Sequence, residues 1–110
     1  MRGIDLSGVV FDGVDLQEAK LAEANLSRAS FRGADLRNAS LWHADCKEAV
    51  FDEANLEEAD LDFADIDGAT FRSAKVRKAI FPFSRVSLDQ IHVSVKTGKK
   101  IRMERRAGDE

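Results

Sequence analysis

Ala24-Asn25-Leu26-Ser27-Arg28, Ala34-Asp35-Leu36-Arg37-Asn38 and Ala54-Asn55-Leu56-Glu57-Glu58 are three copies of one five-residue phrase. A large apolar residue, or Cys46, fills each of sixteen slots in steps of five from Leu6 to Phe81, and an alanine or aliphatic residue stands two places before each one. No slot is missed. A helix would set its apolar stripe at spacings of three and four, and a half-buried strand at two, so the period of five fits neither. A second period lies over the first, because Phe11, Phe31, Phe51 and Phe71 stand twenty apart. A turn of four phrases stacks these rings directly, whereas three or five phrases per turn would scatter them. Self-similarity at a fixed period marks a solenoid, whose units bury their apolar faces only on their neighbours.

The phrase resembles the Ala-Asp/Asn-Leu-X-X motif of the pentapeptide-repeat family, and the resemblance covers residues 4–83. It implies an all-β fold, a right-handed quadrilateral β-helix. Sorted by a twenty-residue turn, one wall holds Leu6, Leu26, Cys46 and Ile66, and the second holds the phenylalanines. The third holds Leu16, Leu36, Leu56 and Val76, and the fourth Leu21, Leu41, Leu61 and Phe81. About four coils follow, giving a rod on the order of 20 Å long at the usual strand spacing. Alanine two places before each large residue is a steric requirement where four walls converge on one axis. Ile4, Val9 and Val14 break that rule in the first coil, and are expected to plug the open end of the rod.

Two regions are expected: the β-helix over residues 1–83, and a capping or docking tail over residues 84–110, disordered at its extreme end. Ser87-Leu88-Asp89-Gln90 reads as a capping box that starts a short helical turn. Beyond it, Val93 and Val95, then Ile101 and Met103, alternate with polar residues around Thr97-Gly98, which reads as a β-hairpin. Cross-strand partners share a face, so an odd-length loop pairs Val95 with Ile101 and Val93 with Met103.

Chemistry has little to work with. Residues 1–83 carry 10 Lys and Arg against 16 Asp and Glu, or −6, and residues 84–110 carry 7 against 4, or +3, summing to the chain's −3. Asp5, Asp15, Asp35, Asp45, Asp60 and Asp65, with Asn25 and Asn55, occupy the slot before the large core residue, where a short polar side chain bonds nearby backbone amides. That placement explains them without acid–base catalysis, which needs a carboxylate of shifted pKa in a cleft. The single Cys46 falls in a core slot and excludes an intramolecular disulfide. There is no zinc-ligand spacing and no phosphate loop, so no catalytic, cofactor-binding or metal residue is assigned. No stretch is long enough to span a bilayer and no basic-then-apolar segment opens the chain, so a cytoplasmic location is expected. The tail's basic residues are too few and too interspersed for a nucleic-acid site.

The informative surface lies on the fourth wall, in the two slots after each core residue and beside them. Trp42, His43, Phe63, Ile80, Pro82 and Phe83 gather there, with His43, Phe63 and Phe83 expected in one vertical column. Exposed apolar area of this kind marks a contact. Three occupants are open: the chain's own tail, a second copy in a homodimer, and a foreign protein. The function expected is therefore non-enzymatic protein–protein contact. The resemblance implies one specific alternative, a DNA-mimicking, quinolone-resistance type partner of DNA gyrase or topoisomerase. Duplex DNA carries about one charge per 1.7 Å, so a rod of roughly 20 Å needs about twelve negative charges, twice what this rod carries.

Overall fold

Every phrase from Leu6 to Val76 closes a tight turn. The amide three places after the large residue of each of these phrases donates back to that residue's carbonyl: Val9 to Leu6 at 3.2 Å, Ala34 to Phe31 at 3.0 Å, Ala64 to Leu61 at 3.0 Å. The third residue of each such turn has positive φ, as a type II turn requires. Glycine fills that place at Gly8, Gly13, Gly33 and Gly68, and residues such as Glu18, Arg28, Asn38 and Lys78 fill it elsewhere with φ near 60°. The carboxamide and carboxylate slots then lock the turn from outside. All eight residues expected there, from Asp5 to Asp65, accept the amide two places on through Oδ1, at 2.9–3.2 Å.

The computed structural model describes residues 3–104. Between turns, one residue per phrase pairs with the residue twenty places later, giving columns such as Asp5, Asn25, Asp45, Asp65 and Val10, Ser30, Val50, Thr70. All the pairings are parallel, and four such columns define four walls. In each, the Asn25-type amide donates to the coil before (Ile4 carbonyl, 2.8 Å) and its carbonyl accepts from it (Leu6 amide, 2.8 Å). The walls are therefore rows of single bridges separated by turns, and no continuous strand forms among the described residues.

Inside, the twenty-residue turn produces the ring stack directly. Phe11–Phe31, Phe31–Phe51 and Phe51–Phe71 lie at centroid distances of 5.2, 4.9 and 5.0 Å with planes within 13° of parallel. Phe31, Phe51, Phe71 and the leucines of coils two and three are fully buried, and the alanine slots from Ala24 to Ala69 are closed beside them. The first coil is different. Val9 and Val14 are 36% and 40% exposed, and Leu6, Phe11 and Leu16 are only half-buried. The expected plug is thus corrected: these bulkier residues line the rim of the coil without closing it.

The tail corrects a second expectation. No hairpin forms; Leu88–Thr97 is an α-helix (α1). Ser87 caps it, its side chain accepting the Gln90 amide at 3.1 Å, so the capping-box start stands and the helix runs ten residues. Gly98 ends it in the left-handed conformation at φ 78°, its amide bonded to the Ser94 carbonyl. Ile91 and Ser94 are buried on one face with Val95 half-buried beside them, while Val93 points to solvent. The alternation of Val93 and Val95 was compatible with a strand. Two good caps and a 3.6-residue apolar face decide for the helix.

Helix α1 and the segment after it cover the C-terminal end of the rod, where the last coil's amides find partners. Gly68 donates to the Ile101 carbonyl (2.7 Å), Phe71 to Ser94 Oγ (3.0 Å), Ser73 to the Val95 carbonyl (2.8 Å) and Ile66 to Met103 Sδ (3.2 Å). Ile101 and Met103, expected as hairpin partners of the valines, lie along the first wall instead, the Ile101 amide donating to Ala69 as a further coil's would. The expected disorder of the extreme end falls on residues 105–110, outside the described residues.

Candidate interaction surface

Because the tail covers the end of the rod, it leaves the fourth wall uncovered. Trp42 is 39% exposed, Ile80 48%, Phe63 49% and Phe83 49%. The rings of His43 and Phe63 stack at 5.0 Å and 14°, one coil above the other, as the column requires. Trp42 packs edge-on against both, 4.2 Å from His43 and 6.2 Å from Phe63. Two of the expected members sit otherwise. The repeat ends at Phe81, where the Phe83 amide turns back onto the Phe81 carbonyl at 2.7 Å, so Phe83 meets the buried Phe81 ring at 6.0 Å and leaves the column. Pro82 is buried by the same turn and is not part of the exposed surface.

The backbone beneath the column is the left-handed turn position that recurs in every coil. His43 and Phe63 occupy the third turn position at φ 58° and 59°. A left-handed conformation is unfavourable for bulky side chains, and five other coil positions of the same kind use glycine. Two rings are thus held outward, in solvent, on left-handed backbone that glycine takes at five coil positions and smaller or charged residues take at the others. Sequence reasoning missed this strain, although the common phase of Gly3, Gly8, Gly13, Gly33 and Gly68 signals it.

Two half-buried carboxylates border the strip. Asp62 accepts the Phe63 amide through Oδ1 at 3.0 Å while its carbonyl takes the His43 amide at 3.1 Å. Asp60 accepts the Asp62 amide at 2.9 Å. Both therefore brace the turns that carry the rings.

On the other walls, acid and base neutralise each other locally. Arg37 meets Asp35 at 2.7 Å, Arg77 meets Glu57 at 3.2 Å, Arg32 meets Asp52 at 3.4 Å, and Lys47 lies between Asp45 (3.3 Å) and Asp65 (3.4 Å). Hydrogen bonds from Arg37 and Arg77 hold the Asp35 and Glu57 carboxyls below their ordinary range. Cys46 is wholly buried, and burial pushes its thiol well up, away from a reactive thiolate. No cluster of three or more potential metal ligands occurs among the described residues, and none of their helices is long and apolar enough to cross a membrane.

The comparisons with known proteins follow the repeat. A family model for pentapeptide repeats matches in eight copies over residues 1–28, 29–62 and 44–81. The chain belongs to the pentapeptide repeat family. Among solved members, a pentapeptide repeat protein of the Arabidopsis thaliana thylakoid lumen is 35% identical, with a TM-score of 0.71 over 73% of this chain and 55% of that one. A pentapeptide repeat protein from the cyanobacterium Nostoc is 38% identical, with a TM-score of 0.69 over 72% and 66%. HetL, a Nostoc pentapeptide repeat protein involved in heterocyst differentiation regulation, is 35% identical, with a TM-score of 0.58 over 71% and 38%. This chain thus spans about half the length of the first of these relatives. No curated protein matches it.

Proposed function

We propose that this pentapeptide repeat protein is a non-enzymatic scaffold, a right-handed quadrilateral β-helix acting in the cytoplasm, whose fourth wall binds a partner protein. The observation that carries this reading is the strip of Trp42, His43, Phe63 and Ile80, exposed on a rigid wall and partly held on left-handed backbone. Rigid aromatic anchors lose little side-chain freedom on binding and dominate contact energies. With Asp60 and Asp62 beside the rings, the strip suits a segment that is both apolar and basic, whose cations can lie over the ring faces and meet the carboxylates. Phe83 is a further exposed apolar side chain, set beside the buried Phe81 ring and outside the column.

The alternative is the topoisomerase-binding mimic. Its difficulty is charge: the repeats carry −6, and Asp35, Asp45, Asp52, Glu57 and Asp65 already lie within 3.4 Å of a cation. A duplex mimic needs about twice that charge over the same length, unneutralised.

Capture with immobilised wild-type protein, with Phe63→Gly/Trp42→Ser, and with a third-wall control such as Glu58→Gln separates the readings. A protein retained by wild type and control and lost by the fourth-wall variant supports the scaffold. A protein retained equally by all three removes the fourth wall as the site. Inhibition of gyrase-dependent supercoiling by the purified protein would establish the alternative.

A further inference from the structure

The tail is the basic pole of the molecule. Residues 84–104 hold Arg85, Lys96, Lys99, Lys100 and Arg102 against Asp89 and Glu104, or +3, beside the −6 of residues 1–83. Lys99, Lys100 and Arg102 line a groove of about 300 Å³ between α1 and the segment that follows it, and Asp89, Gln90 and Val93 line its helix side. The two sides are pinned together. Gln90 Nε2 donates to the Arg102 carbonyl at 2.8 Å and Gln90 Oε1 accepts the Arg102 amide at 3.0 Å, so the groove stands open before anything enters it.

Each side has its own chemistry. Lys100 and Arg102 are exposed on either side of the buried Ile101, so both leave the segment away from the core, two residues apart. Lys99 and Arg102 meet no carboxylate among the described residues, and Lys100 meets Glu48 at 3.2 Å with both side chains about half exposed. A pair so exposed contributes little and gives way to a competing carboxylate. On the helix side, Val93 leaves 44% of its surface in solvent, with Asp89 one turn before it.

We propose that this groove binds an extended acidic peptide in which an apolar residue stands between two carboxylates, as in Glu-Leu-Glu. The inference is independent of the fourth wall. Alternate side chains of an extended chain point to opposite sides and recur about 6.6 Å apart on each. Laid along the groove, such a peptide turns its two carboxylates to Lys100 and Arg102 and the apolar side chain between them to Val93. Lys99 adds its charge to the same side, while Asp89 repels an acid set against the helix and so fixes which way the peptide faces. None of the described residues that line the groove is aromatic. A nucleic-acid strand would find no ring for its bases to stack on, which leaves peptide as the class that fits.

Titration of the full isotope-labelled chain with acetyl-Ser-Glu-Leu-Glu-Ser-amide, followed by amide shifts, tests this. Shifts are expected at Gln90, Val93 and residues 99–102 and not at His43 or Phe63, with a Kd of roughly 0.1–1 mM that weakens as salt rises. Lys99 and Arg102 are exposed, so Lys99→Gln/Arg102→Gln leaves the fold intact and weakens binding about tenfold. Val93→Ser weakens it as well, and the matched Gln-Leu-Gln peptide binds at least about tenfold less tightly. Absence of shifts at these residues up to about 10 mM peptide overturns the proposal. So does tighter binding of a thymidine oligonucleotide, which would make the groove a phosphate site. Binding that appears only with Asp109→Asn/Glu110→Gln would seat the chain's own acidic end there, and a dimer of the free chain that Lys99→Gln/Arg102→Gln dissociates would seat a second copy; either result also overturns it.

Discussion

The His43 and Phe63 rings stack at 5.0 Å on two consecutive left-handed residues of one wall. The column thus sets two energies against each other. An exposed aromatic pair is worth about 0.5–1.5 kcal/mol, and a left-handed conformation costs an ordinary residue roughly 1–2 kcal/mol. We therefore expect His43→Gly and Phe63→Gly to change stability by less than about 1 kcal/mol in denaturant unfolding, since glycine also loses more chain entropy on folding. A loss of several kcal/mol would mean that the rings serve the fold.

The inner ring stack should behave in the opposite way. Phe31→Ala, Phe51→Ala and Phe71→Ala each remove a fully buried ring from a core one residue deep per wall, where little can collapse into the gap. Each should cost about 3–5 kcal/mol in chemical denaturation. Phe11 is half-buried at the open end, so Phe11→Ala should cost distinctly less. Equal losses at Phe11 and Phe31 would contradict the open rim.

Truncation after Phe83 tests where the tail sits. Removing it bares the Phe71 and Ile66 end of the core and strips partners from the amides of Ile66, Gly68, Phe71 and Ser73. Loss of stability and aggregation should follow, with the emission maximum of Trp42 unchanged in the fraction that stays folded. A red shift of that emission on truncation would place the tail over the fourth wall.

Acid sensitivity follows from the ion pairs. Asp35 is lowered from 3.8 by its hydrogen bond to Arg37, and Glu57 from 4.5 by its hydrogen bond to Arg77. A carboxylate lowered in the folded state contributes stability that is complete above its unfolded pKa and is lost as pH falls through its folded one. Stability should therefore be insensitive to these groups at neutral pH and decline only below the ordinary carboxylate range. Both pairs are exposed, so Arg37→Met and Arg77→Met should each flatten that decline slightly while changing neutral-pH stability little. A large neutral-pH loss in either variant would contradict the exposed geometry.

The repeat could be read from sequence because each slot answers to local chemistry. Phe11, Phe31, Phe51 and Phe71 give the turn length, Asp5 through Asp65 give the locked turns, and Trp42, His43 and Phe63 fall outward by the same count. The misread parts depend on long-range partners. Val93 and Val95 suit a strand by alternation, and only the capped ends and the buried face of Ile91 and Ser94 against the last coil make them helical. Pro82 and Phe83 lie where the repeat stops, so the slot count no longer sets their direction. Ile4, Val9 and Val14 have the size of a plug, but they stay partly exposed at the rim of the first described coil, so size alone closes nothing.

The fourth wall is tested most directly through Trp42, the single tryptophan of the chain. In the purified protein, diluted until it sediments as a monomer, we expect a red-shifted emission that acrylamide quenches readily. Addition of the captured partner should shift it blue and protect it. A blue-shifted Trp42 that resists quenching in the isolated monomer would mean that the wall is already covered, and would contradict its role as an open contact surface.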